Sequence, residues 1–375
     1  MMGNQKHLVG NNRLSRRNFL RLSTTGIVAA LGLGIESHGR LLEFIHQTYG
    51  VWINSADMIN VVYPKEALDP MLQGRVLDPS VNIYELSSYN SRLVNTYYRD
   101  WILSITDITV GTLEDSFNMV WYKIGTEGYA HSGSIQPVRT KINPVSTDIP
   151  LDGAIAEVTV PFTDARWNPG ENELVAYRFY YSSTYWITDL VMDKNGKPWY
   201  SVRDDKWEYL YYVPAEHLRV IPYNEIQPIS PEVHPQNKHI EVHLPEQVLI
   251  AYEHRKPVFM ARIASGAIFS NGDFSTPPGR YMTFHKRPSR HMARGNLAAN
   301  GYDLPGVPWN SYITEEGIAF HGTYWHNNFG KPRSHGCINL TPQAAKWIFL
   351  WTLPSVPPNQ EGVYKETGTT VNIVD

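Results

Sequence analysis

Between His321 and Leu340 the chain reads HGTYWHNNFGKPRSHGCINL, a stretch that holds three of its fourteen histidines and its only cysteine. Two chemistries compete for these residues. Zinc accepts both imidazole and thiolate, so His321, His326, His335 and Cys337 offer four candidate ligands. Their spacing, H-x4-H-x8-H-x-C, matches no standard zinc pattern. The other chemistry is nucleophilic. A thiol attacks poorly until a neighbouring base takes its proton, and His321, at the end of the strand-like run GIAF, can be aimed at Cys337 from rigid structure. Gly336 lets the backbone approach closely in a tight SHGC turn, and N–H groups at 336 and 337 can receive an oxyanion. The loop has no Asp or Glu, which leaves the carbonyl of Gly322 to fix the imidazole tautomer. On this scheme a thiolate forms near neutral pH, and Cys337 is a used thiol rather than a buried small hydrophobe.

Such a pair needs a framework, and the sequence around it is β-rich. With 375 residues the chain has room for two or three domains. Its 23 Tyr and 11 Trp, cut into short runs by 26 Pro and 27 Gly, favour strands and turns. From about 237 the runs KHIEVHLPEQVLIAYEHRKPVFMARIAS, GRYMTF, GIAFHG and TTVNIV predict strands. TPQAAKWIFLWTL predicts one helix, with Thr341 as cap, Pro342 in its first position and Ala345, Ile348 and Phe349 on its apolar face.

Upstream, VNIYELSSYNSR, WILSITDITV and VWYKIGTEGYAHSGSIQPVR are answered in order by AEVTVPFTDAR, YYSSTYWITDLVMD and PWYSVRDDKWEYLYYVPAEHLRVI, with Trp121-Tyr122 and Trp199-Tyr200 in the same place. This repeat resembles two bacterial SH3-like modules, 76–145 and 146–228. Such modules either recognise wall peptide or only brace the next domain. The proline-bearing YNEIQPISPEVHPQ reads as a linker. At the N-terminus, SRRNFLRLS with Arg16 and Arg17 followed by an uncharged run to Ile35 resembles a twin-arginine export signal over 1–36. It is removed at an atypical site or kept as a membrane association. Residues 37–75 read as a connecting segment with one short helix, GRLLEFIHQTY. A net charge of −3 and the lack of a basic run argue against nucleic acid.

The HGT…SHGCI pattern, together with STPPGRYMTFHK and GTTVNIV, resembles the L,D-transpeptidases, the YkuD-like catalytic domain, over 237–375. The resemblance implies that Cys337 is the acylated nucleophile, His321 its base and Gly322 the orienting carbonyl, with Ser334, His335 and Gly336 shaping the pocket. His335 is expected to fix the loop by a hydrogen bond rather than to carry a second proton. Asn339 stands where many members have Arg, so it can bond a peptide carbonyl but not form a charged fork. The long segment His285–Glu315 is expected to be a lid loop. Tyr302, Trp309 and Tyr312 would line its groove, and Lys286, Arg287, Arg290 and Arg294 would meet carboxylates. The fold implied is mostly β: two small SH3-like barrels followed by a β-sandwich-like catalytic domain with one clear helix. The function implied is an exported L,D-transpeptidase at the cell wall or outer face of the membrane. It would act on peptidoglycan stem peptides, be acylated by carbapenems, and need no metal or cofactor. An L,D-carboxypeptidase with water as acceptor and an inactive wall-binding protein remain as alternatives.

Overall fold

The computed structural model describes residues 72–111, 118–295 and 301–375. The expected export signal at 1–36, and all of the connecting segment 37–75 except 72–75, lie outside them. Among the described residues no helix is long and apolar enough to cross a membrane.

Apolar residues alternating with polar ones build strands throughout. In Ser80–Tyr84, Val81 and Ile83 turn inward while Ser80 and Asn82 face out. The first repeat is a seven-stranded sheet of Gln73–Val76, Ser80–Tyr84, Leu93–Tyr98, Ile102–Val110, Val120–Ile124, Gly128–His131 and Ile135–Val138. Their spatial order is third, second, sixth, fifth, fourth, first, seventh. The second repeat, Ala154–Val158, Phe162–Arg166, Val175–Tyr180, Thr184–Met192, Pro198–Arg203, Leu210–Pro214 and Leu218–Val220, has the same order. Trp121-Tyr122 and Trp199-Tyr200 fall on the fifth strand of each. The first strand, Gln73–Val76, begins before the expected boundary at 76, because it lies between Ile102–Val110 and the edge strand Ile135–Val138 and pairs with both.

The expected linker is not free. Ile226 is buried with Ile221, Ile155 and Trp186 of the second repeat in the same apolar cluster as the following domain, and the Ile229 N–H donates to the Leu350 carbonyl.

The remaining residues form two five-stranded sheets sharing one core. One sheet runs Lys256–Arg262, Val248–Glu253, Lys238–His243, Thr370–Val374, Gly279–Met282; the other runs Ile338–Leu340, Ala319–Gly322, Tyr302–Tyr312, His285–Arg294, Val363–Tyr364. Ile240, Val242 and Val371 of the first meet Phe320, Ile338 and Leu340 of the second. The one described α-helix, Pro342–Trp351, fits against the second sheet. Thr341 caps it by accepting the Ala344 N–H at 3.2 Å, and burying Ile348 and Phe349 contributes about 2 kcal/mol each. Its last carbonyls, the negative end of the helix, are closed by two lysines. Lys286 Nζ donates to the carbonyls of Phe349 and Thr352, and Lys238 Nζ to that of Trp351 at 3.2 Å. Burial pushes the Lys286 ammonium well below the ordinary lysine range.

The expected lid is not a loop. His285–Arg294 and Tyr302–Tyr312 pair as a long antiparallel hairpin, pinned to the second repeat. Thr184 Oγ1 donates to the Pro288 carbonyl at 2.7 Å, and Tyr185 Oη donates to the Pro305 carbonyl at 3.2 Å. Three of the four basic residues expected to meet substrate carboxylates are used internally: Lys286 closes the helix, and Arg287 and Arg290 pair with Asp205. Trp309, expected in the groove, is buried in the shared core against Phe349, with Lys346 over its ring. It adopts φ +61°, a conformation rare for a bulky residue.

Candidate active site

Cys337 and His321 are brought together by two short parallel strands. The register places Phe320 beside Ile338 and His321 beside Asn339, so one step earlier Cys337 lies beside Ala319. Alternation along a strand sends Phe320, Ile338 and Leu340 into the core, leaving Cys337, His321 and Asn339 on the opposite face. Cys337 and His321 are then two residues apart along the ladder, ~7 Å along and about 5 Å across, a gap their side chains can span.

The imidazole is buried, and its Nδ1–H donates to the Gly322 carbonyl at 3.0 Å. Only a protonated nitrogen can donate to a carbonyl, so Nε2 is left as the basic atom. Gly322 tolerates no side chain, since a Cβ would stand 2.7 Å from Pro308 and 2.9 Å from Pro342. Burial lowers His321 to about 4. The Cys337 thiol donates to the Gly317 carbonyl at 3.5 Å, and burial raises it to about 11. Loss of water around the buried ring and the half-buried sulfur thus favours thiol and neutral imidazole at rest, against the thiolate expected near neutral pH.

The turn that presents Cys337 is tied from within. Ser334 Oγ donates to the Cys337 carbonyl at 2.5 Å and accepts the Gly336 N–H at 3.2 Å. Of the two N–H groups expected to meet an oxyanion, that of Gly336 is thus already used, and the one left is that of Cys337. Gly336 has φ +109°, where glycine is favoured, and its carbonyl accepts from Thr276 Oγ1 at 2.8 Å. His335 fixes the loop by ring packing instead of the expected hydrogen bond. It stacks on Phe269 at 4.8 Å, meets Phe274 at 4.6 Å and lies 6.0 Å from Tyr302. Burial, then the charge of Arg294, lowers its pKa. Burial raises Tyr302, and raises Tyr312 to about 12, and both lie near enough to Cys337 to feel its charge were it a thiolate. Of the aromatics expected in the groove, these two reach the site.

Asn339 faces inward to the protein. Its amide lies 2.9 Å from His326 Nε2. His326 Nδ1 accepts the Asn328 N–H at 3.3 Å, so in the neutral ring Nε2 carries the proton and requires the amide oxygen of Asn339 opposite it. Burial holds His326 well below the ordinary histidine range. The expectation that Asn339 contacts a peptide carbonyl is corrected accordingly: it orients His326. Among the described residues no group of three or more His, Cys, Asp or Glu is placed to hold a metal ion.

Sequence reasoning missed Thr276, Phe269, Phe274 and Trp325. The two phenylalanines flank the turn of a small hairpin, Ile268–Phe269 with Gly272–Asp273, and the Asn271-Gly272 pair was the available signal for it. Thr276 and Trp325 carry no local mark.

No curated protein matches the chain. Among solved structures, the Ldtfm–avibactam carbamoyl enzyme is 26% identical over 37% of this chain and 49% of its own, with a TM-score of 0.29. The ertapenem-acylated catalytic domain of an Enterococcus faecium L,D-transpeptidase is 25% identical over 38% of this chain and 99% of its own, with a TM-score of 0.29. An L,D-transpeptidase from Mycobacterium smegmatis is 16% identical over 52% and 90%, with a TM-score of 0.30. The chain spans about half the length of the first of these. Residues 237–373, the segment that carries His321 and Cys337, match the YkuD family of L,D-transpeptidase catalytic domains.

Proposed function

We propose that the chain is an L,D-transpeptidase that cross-links peptidoglycan stem peptides through a thioester on Cys337. The observation that carries this reading is the pairing of Cys337 and His321 on one face of two parallel strands, with the tautomer of His321 set by the Gly322 carbonyl. Because both groups rest neutral, proton transfer accompanies attack. The Cys337 sulfur bonds to the carbonyl carbon at an L-centre of the donor stem as His321 Nε2 takes the thiol proton, and the N–H of Cys337 meets the oxyanion. Collapse breaks the C–N bond. His321 returns the proton to the departing D-residue, leaving the acyl thioester. An amine of a second stem then attacks, His321 takes its proton, and the thiol is restored. These steps draw only on groups of the chain and its substrates. The N-terminal Arg16-Arg17 pair supports export by the twin-arginine route to the wall side of the membrane, and replacing both by Lys should hold the protein in the cytoplasm.

Incubation with a wall tetrapeptide tests the reaction by product mass. A cross-linked dimer supports transpeptidation, and a lone tripeptide supports the carboxypeptidase instead. Cys337→Ala should abolish both products and carbapenem adduct formation. His321→Ala should slow acylation by a factor on the order of 10² to 10⁴. The pH profile tests the neutral pair: alkylation of Cys337 should keep accelerating until about 11. A plateau already reached at neutral pH would mean a resting thiolate and would overturn that mechanism.

A further inference from the structure

A cleft of about 370 Å³ opens where both repeats meet the catalytic unit, walled by Arg75 and Arg99, by Arg178 and Tyr180, and by Asp303 and Trp325. Its size falls in the range of about 300 to 1,000 Å³ common for small-ligand sites. It shares a wall with the candidate active site, since the Trp325 indole lies 5.7 Å, ring to ring, from His321.

The charges in the cleft are unequal in kind. Asp303 is already engaged by His291 and by Tyr177 Oη. Arg75 is buried and satisfied: it donates to Asp100 at 2.8 Å, to Gln136 and to the Tyr324 carbonyl at 2.6 Å, and it lies over the Tyr180 ring. Arg178 pairs with Asp164 and Asp100. Arg99 is exposed, and its guanidinium has no carboxylate within ion-pair distance among the described residues. The cleft therefore offers one guanidinium free to make a two-pronged contact with a carboxylate, beside two arginines already neutralised by Asp100 and Asp164, with the Trp325 indole in its wall for an apolar portion.

We propose that this cleft binds an acidic peptide by its carboxylate. Resting on the transpeptidase reading above, the peptide is the acceptor stem, anchored at Arg99 and led along Trp325 so that its amine arrives at His321. The acceptor is favoured because the wall the cleft shares with the active site stands against the base. The tyrosines near Cys337, Tyr302 and Tyr312, lie outside the cleft lining.

The test uses the full chain and the charge reversal Arg99→Glu. A reversal at Arg92, an exposed residue of the same repeat paired with Glu85, serves as control. Arg99→Glu should raise the acceptor KM about tenfold or more relative to the donor KM, the worth of one charge-assisted hydrogen bond, while Arg92→Glu raises neither. Equal effects on donor and acceptor, or none on the acceptor, overturn the proposal. A binding arm separates it from the reading on which it rests: calorimetric titration of a synthetic tetrapeptide with two free carboxylates into Cys337→Ala. Binding weakened about tenfold by Arg99→Glu supports the cleft even if the wild-type chain forms no thioester, in which case the transpeptidase reading alone falls. Binding indifferent to Arg99→Glu, or no saturable binding, sinks the cleft.

Discussion

The two repeats have one strand order but hold the catalytic unit in different ways. The first repeat uses polar contacts on the segment that follows His321. Arg75 holds the Tyr324 carbonyl, and Asn327 Nδ2 donates to Tyr122 Oη and to the carbonyls of Ser132 and Ile135. Asp78 lies 3.6 Å from Arg333. The second repeat grips the hairpin, and part of its contact is apolar: Ile155 and Trp186 are buried in the catalytic core. Its polar part is a buried imidazole between two carboxylates, with His291 Nδ1 at 2.5 Å from Asp204 and Nε2 on Asp303. Each ring nitrogen then carries a proton, so the ring is an imidazolium. Equal topology did not produce equal docking, because strand order depends on inward residues and docking on outward ones.

Removing His291 should break the second attachment most severely. His291→Ala leaves Asp204 and Asp303 facing each other without the cation between them, and should cost about 3 kcal/mol or more, read as a lowered unfolding midpoint. A loss under about 1 kcal/mol would mean the imidazolium contributes little. The first repeat should yield to Arg75→Ala by about 2 to 3 kcal/mol, since a buried carbonyl and a carboxylate lose their donor. Hydrogen exchange should then quicken across 324–333 while the paired strands 285–294 and 302–312 stay protected; equal loosening of both would erase the distinction drawn here.

Acidity should separate the attachments further. Burial pushes His291 down, but its hydrogen bonds with Asp204 and Asp303 and their charges outweigh that, so its pKa is raised. The stabilisation is therefore complete below the ordinary histidine value of about 6.5 and fades as pH rises through the raised folded value. Asp204 is lowered: burial opposes this, and the hydrogen bond with His291 leads the groups that outweigh it. Its share is complete above about 3.9 and is lost as pH falls through the lowered folded value. Protection of the hairpin should thus peak in mild acid. The Arg75 and Asn327 contacts contain no group titrating between about pH 5 and 8, so protection of 324–333 should stay level there. Parallel profiles for the two segments would refute the assignment. The smallest effect belongs to Arg333→Ala, whose partly exposed pair with Asp78 should be worth about 1 kcal/mol or less.

What the sequence determined by itself is what depends on near neighbours. Alternation marked the strands, the repeated Trp-Tyr marked the equivalent fifth strands, and Thr341-Pro342 marked the helix start, because period, propensity and capping act within a few residues. The closeness of His321 and Cys337 was legible in part for the same reason, since they end and precede adjacent short strands. Tertiary structure decided the rest. Whether Lys286 meets a substrate or closes a helix depends on Phe349 and Thr352. The burial of Trp309 depends on that same helix, and the hairpin in place of a loop on its pinning by Thr184 and Tyr185. The protonation of the site was hidden as well. A motif names a thiol and an imidazole, but their pKa values are set by how much water the folded chain removes around them, and that removal is the work of residues far away in the sequence.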